Sequence, residues 1–148
     1  MDLSIDGKLL IKNGGKAFTL KTPVAHIPFG VEDYYNSKLV KLSLPTDNQF
    51  STLIISIEDK FKELLGIDEI SSQLLPAKNK NYGDLLITKI VSYKNNYNIK
   101  VDKSDGTIGT TADIIKGSKG IATLLFDRIW KKEDKYYYKI KLKELALL

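Results

Sequence analysis

The sequence predicts a mostly β fold with one main helix. Three observations carry that reading. From residue 84 onward, apolar residues largely follow period two. One segment, "TDNQFSTLIISIEDKFKELLG" (46–66), repeats them at helical spacing instead. Glycine, proline, asparagine and aspartate break up the remainder at short intervals.

In chain order, "DGKLLIKNGGKAFTLKT" predicts two extended segments around a turn at Gly14–Gly15. "PVAHIPFGVEDYY" holds two prolines and a glycine and reads as a loop or irregular edge. In "KLVKLSLP", Val40, Leu42 and Leu44 share one strand face, Lys41 and Ser43 take the other, and Pro45 ends it. The helix follows. Phe50, Leu53, Ile54, Ile57, Phe61, Leu64 and Leu65 form its apolar stripe, with Asp47 or Asn48 as N-cap and Gly66 at the far end. Glu58, Asp59, Lys60, Lys62 and Glu63 are expected largely on its solvent side.

"IDEISSQLLPAKNKNYG" reads as a short helical turn and then a basic, polar loop. "DLLITKIVSY" and "NYNIKV" predict a hairpin joined through "KNN". "SDGTIGTTADIIKGSKG" is a turn-rich connection with a helical turn at Ala112–Lys116. "IATLLFDRIW" and "YYYKIKLKELALL" predict a final long hairpin around "KKEDK". Six or seven strands and one helix point to a small β-barrel or strongly curved sheet with a helix at one end.

The chain has 148 residues, enough for one domain, 1–148, with its own core. Apolar residues make up 43% and charged residues 28%, a globular composition. No run approaches the roughly 20 apolar residues that span a bilayer. "MDLSIDGKLLIK" lacks the basic start and apolar middle of a secretory signal, so an intracellular site is expected. Cysteine is absent, which excludes disulfides. The net charge is +5, and every basic residue except Arg128 is lysine. That balance suits a polyanion held by its phosphates. It argues against reading duplex bases, where the arginine–guanine fork dominates.

The chemistry of catalysis has little to work with. His26 is the single histidine and lies in a proline-rich loop, where packing or a surface position is its expected role. Zinc needs several Cys or His ligands, so no metal site is expected. "DKSDG" (102–106) fails as a calcium loop, because its glycine is one place early and no glutamate closes it. No phosphate-binding glycine loop ends in Lys-Ser/Thr, and no cofactor is expected. "GSKG" (117–120) has the G-x-x-G spacing of the backbone clamp in KH-type RNA-binding domains, which would require a helix over 121–129. Thr123, Phe126, Ile129 and Trp130 favour a strand there instead.

The closing hairpin carries the strongest constellation. On a strand, Tyr136, Tyr138, Ile140 and Leu142 form a core face, while Tyr137, Lys139, Lys141 and Lys143 share the other. Same-face residues lie about 7 Å apart, similar to the phosphate spacing of an extended single strand. Arg128, Trp130 and Lys131 sit on the partner segment. Single-stranded nucleic acid needs cations for its backbone and flat rings for its bases. Arg128, Trp130, Lys131, Tyr137, Lys139 and Lys141 have those types, with Lys89, Tyr93, Tyr97 and Lys100 as a second tier. Two plainer readings compete. The lysines could guard an exposed sheet edge in a protein-interaction or virion-structural module, and Trp130 could be core.

The order of these features resembles the OB-fold single-stranded DNA-binding proteins of large eukaryotic DNA viruses, distantly like those of short-tailed phages. "IPFGV" precedes the strand "KLVKLSL", and "FSTLIISIEDKFKELL" is similar to the family's F-x-x-x-I-x-x-[DE] helix. "IIKGSKGIATLLFDRIWKKEDKYYYKIKLKELAL" looks like its closing hairpin, with I-W at the end of the first strand. The resemblance implies an OB-like small β-barrel that coats single-stranded DNA, without sequence preference, during viral replication, recombination or repair. It implies a host cytoplasmic or nuclear site, with RNA as a further possible ligand. Phe29 and Gly30 carry over as structural matches, and Trp130 with its neighbouring lysines as groove residues. Many such proteins end in an acidic tail that recruits partners. This chain ends in "ELALL", so tail-mediated recruitment is not implied, and those apolar residues are candidates for homo-oligomer contacts.

Overall fold

A computed structural model describes residues 1–148 except Asn36, Lys80, Lys94, Asn95 and the side chain of Tyr93. The "KNN" turn therefore lies mostly outside the described residues. Gly14 and Gly15 take the left-handed turn conformation (φ 57° and 79°) that their lack of Cβ allows. They join β2 (Ile11–Asn13) to β3 (Lys16–Lys21), and β1 (Leu3–Ile5) adds to β2.

Residues 23–35 are more regular than their prolines imply. β4 (Ala25–Ile27) buries Ala25 and Ile27 and leaves His26 exposed, and Pro23 and Pro28 fall just outside it. A strand loses no ladder bond to a proline beyond its ends. β5 (Val31–Tyr34) then pairs with β6 (Ser37–Ser43) as a tight hairpin.

The helix α1 (Gln49–Leu65) matches its apolar stripe, with Phe50, Ile54, Ile57 and Phe61 buried. Asn48 is the N-cap residue, but the capping oxygen is Asp47 Oδ1, which accepts from the Gln49 N–H at 3.1 Å. Gly66 closes the helix at φ 65°. Glu58 departs from the expected solvent face, being buried against the 72–73 segment and Tyr138.

The short β7 (Leu74–Leu75) pairs with β8 (Leu85–Tyr93), which also pairs with β9 (Asn96–Asn98). β10 (Lys100–Asp102) and β11 (Ile108–Gly109) precede a single 3-10 turn at Thr111–Asp113. The long closing strands are β12 (Ser118–Lys132) and β13 (Lys135–Leu147). Residues 121–129 are thus strand and not helix. The G-x-x-G stretch is a left-handed turn at Gly117 (φ 83°) leading into β12, which pairs with β4. This removes the KH-type alternative.

Pairing runs from β12 to β4, β6, β8 and β13, and β13 pairs back with β12. The fold is mostly β with one helix and is OB-like. The inward residues form one continuous core centred on Phe18, Val40, Leu42, Leu86, Phe126 and Tyr138. β13 is an interior strand, with β12 on one side and β8 and β10 on the other. Its lysines therefore do not guard an exposed edge. Among the described residues, no helix is long and apolar enough to cross a membrane.

Gly83 is a tight point in this frame. A Cβ there would lie 1.7 Å from the carbonyl oxygen of Leu44, whose N–H bonds to Asp84. Gly83→Ala must displace the end of β6, and a loss of about 1–3 kcal/mol in chemical denaturation is expected.

Candidate nucleic-acid interface

Period two sorts the side chains of three adjoining strands. Val40, Leu42, Leu86, Thr88 and Ile90 point inward and are buried. Leu39, Lys41, Ile87 and Lys89 consequently point outward, with Leu39 opposite Lys89 and Lys41 opposite Ile87. Lys89 stands beside Lys141 of β13. Together with Lys139, the residues from Leu39 to Lys89 form the floor of a groove of about 600 Å³.

Two hairpin tips make its banks. On one, Tyr34 and Tyr35 meet edge to face, with ring centroids 4.7 Å apart, and Tyr35 is 90% exposed. On the other, Trp130 and Tyr137 are cross-strand partners and stack at 5.8 Å with planes 18° apart. Trp130 is 36% exposed, so it is not core. Each ring covers one face of the other, leaving the outer face of the pair as the platform. The β12–β13 turn itself uses Glu133 and Asp134, both with positive φ.

A bulge concentrates charge beside this platform. Phe126 opposes Ile140 and Ile129 opposes Tyr138, so Asp127 and Arg128 together face the single residue Lys139. Burial holds the Lys139 ammonium below the ordinary lysine pKa, and the charges of Lys89, Lys141 and Arg128 depress it further. One carboxylate answers these four cations. Asp127 accepts from Lys141 Nζ at 2.6 Å, and that hydrogen bond is the main reason its carboxyl sits below the usual range. An anionic group entering here would relieve repulsion among Lys89, Lys139 and Arg128.

The expected site residues are thus placed unequally. Lys89, Lys139, Trp130 and Tyr137 line the groove, and Arg128 adjoins Lys139. Lys141 faces the same way, but its amine is held by Asp127. Lys131 faces the other side of the hairpin, 5.6 Å from the Tyr136 ring centre and 3.9 Å from Asp134. Tyr97 lies outside the groove beneath the Lys38 amine, and Lys100 is near Asp102 at 3.9 Å. The Tyr93 side chain falls outside the described residues. Sequence reasoning missed Tyr34, Tyr35 and Lys41. The signal was available in the alternation of "VEDYY" just ahead of "KLVKL", but the nearby prolines masked it.

Asp127 competes with any external anion for Lys141. Asp127→Asn is expected to tighten binding of oligo-dT several-fold, read as a lower Kd at fixed salt. Because Lys139 loses its proton below the ordinary lysine value of 10.5, affinity should begin to fall within the alkaline range, earlier than an unperturbed lysine would allow. Lys139→Arg should move that fall to higher pH.

No family model matches the sequence, and no curated protein matches it. Solved structures do. The chain resembles the single-stranded DNA-binding protein from bacteriophage Enc34 in complex with ssDNA, with a TM-score of 0.62 and 12% identity over 99% of this chain and 93% of that one. A C-terminal truncation of the phage protein gives a TM-score of 0.64 and 10% identity, covering 98% and 92%. The likeness is one of fold.

Proposed function

We propose that this chain is a non-catalytic, sequence-independent single-stranded DNA-binding protein, folded as a single OB-like barrel domain. Lys89, Lys139 and Arg128 would hold phosphates, the Trp130–Tyr137 pair would stack a base, and Tyr34 and Tyr35 would bracket the strand from the opposite bank. The observation that carries the reading is the cluster of under-compensated cations set directly beside an exposed aromatic pair in one groove. Lysine and backbone phosphate give affinity without sequence, and ring stacking accepts any base. The phage protein of similar fold was solved with ssDNA bound, which supports the same reading. A role in viral replication, recombination or repair is what the resemblance to the viral single-stranded DNA-binding proteins implies.

Trp130 is the single tryptophan and so reports on its own groove. Titration with oligo-dT should quench its fluorescence, with micromolar or tighter binding that weakens steeply as salt rises. Equal affinity for duplex DNA, or no binding at low salt, would refute the proposal.

A further inference from the structure

The groove is electrically lopsided. On the β12–β13 side, four cations face one carboxylate. On the β5–β6 side, Glu32 and Asp33 line the groove and Lys41 lies 3.5 Å from Glu32, so no cation is in surplus there. An acid in a groove for a polyanion costs affinity unless it meets hydrogen-bond donors. Phosphates offer none at neutral pH, whereas base edges do.

The register fixes where such an edge would fall. Glu32 opposes Leu39, Leu39 opposes Lys89, and Lys89 adjoins Lys141, so these residues form one row across the sheet. Neighbouring strands are about 4.8 Å apart, which puts the Glu32 backbone on the order of 10 Å from that of Lys89. That is comparable to the reach of a nucleotide from phosphate to base edge. Glu32 Oε1 is turned inward near Lys41 and accepts no hydrogen bond. The side chain is still 35% exposed and lines the groove, so its accessible part faces the ligand space.

We propose that Glu32 reads base edges in the bound strand, accepting from exocyclic amino groups and so favouring cytosine over thymine. The inference rests on the single-stranded DNA reading of the same groove and narrows its sequence independence to a backbone-driven affinity with a modest base preference laid over it. Phosphates lie along Lys89, Lys139 and Arg128, one base stacks on the Trp130–Tyr137 pair, and a neighbouring base reaches toward β5. A carboxylate accepts from the cytosine N4 amino group. Thymine presents a carbonyl at that position, which a carboxylate repels.

The test compares oligo-dC and oligo-dT of equal length by Trp130 quenching at neutral pH and fixed salt. Oligo-dC should bind the native protein roughly fivefold or more tightly. Glu32→Gln should erase most of this ratio, because an amide accepts from cytosine and donates to thymine alike. Loss of the charge is expected to tighten both oligonucleotides together, so the ratio is the readout. Equal native affinities, or a ratio unchanged in Glu32→Gln, would overturn the role of Glu32 while leaving strand binding intact. Failure of both oligonucleotides to bind would overturn the function itself and this inference with it.

Discussion

Replacing Lys89 and Lys139 together with alanine is expected to weaken oligo-dT binding by about a hundredfold. Hydrogen bonds to charged groups contribute roughly 1.5–3 kcal/mol each, and tenfold in affinity is about 1.4 kcal/mol. The double variant should also show a shallower salt dependence. Each phosphate contact on a single strand contributes about 0.7 to the slope of log K against log salt, so two lost contacts should reduce it by about 1.4. Stability should not fall in parallel, because both ammonium groups sit among like charges, and removing them relieves repulsion. A variant that binds as well as the native chain would place the phosphates elsewhere. Lys131→Ala is the matched control. Its side chain faces away from the groove, so its effect should be small at moderate salt.

Glu58→Ala is expected to cost the fold about 2–4 kcal/mol. The carboxylate is buried on α1 and accepts from Ser72 Oγ at 2.8 Å, from the Gln73 N–H at 3.2 Å, and from the Tyr138 hydroxyl. Alanine leaves the buried Tyr138 hydroxyl and the half-buried Gln73 N–H without their acceptor, while the exposed Ser72 hydroxyl can turn to water. Tyr138 lies between Tyr137 and Lys139 in sequence, so this buried contact also fixes the strand whose other face forms the groove floor. Melting temperature should drop by about 10 °C. Tyr138→Phe should cost less, since the carboxylate keeps two donors.

Burial first, and the Glu58 charge second, hold the Tyr138 phenol well above its ordinary value of 10.0. The unfolded chain ionises near that ordinary value while the folded chain does not. Stability is therefore complete below about pH 10 and declines as pH rises toward the folded value. Alkaline denaturation should be shallower in Tyr138→Phe, which has no phenol to ionise.

The fold was legible where periodicity was unbroken. Leu44 follows Val40 and Leu42 inward, the α1 stripe packs as spaced, and Tyr138, Ile140 and Leu142 are buried as their alternation requires. It was least legible where two signals conflicted. Pro23 and Pro28 suggested a loop, yet a three-residue strand fits between them. Glu58 looked solvated because helical spacing locates a side chain on a helix but cannot show what packs over its flank. The Tyr138 partner is 80 residues away. The candidate groove divides in the same manner. Alternation predicts which way Lys139 and Lys141 face. It is blind to the bulge at Asp127–Arg128 that ties up one amine and crowds the other. The Trp130–Tyr137 stack follows from pairing register, which short-range pattern does not set.

The interior position of β13 bears on when the protein becomes competent. It is the last strand in chain order, and beyond its local hairpin with β12 it joins partners beginning at residues 85 and 100. Contacts of such separation form late and slowly. Lys139 of the proposed cationic cluster and one ring of the aromatic platform belong to this strand. A nascent chain still missing it would display Lys89 and Tyr34 on an unfinished surface with no trough, so affinity should arrive all at once with completed folding and not accumulate during synthesis.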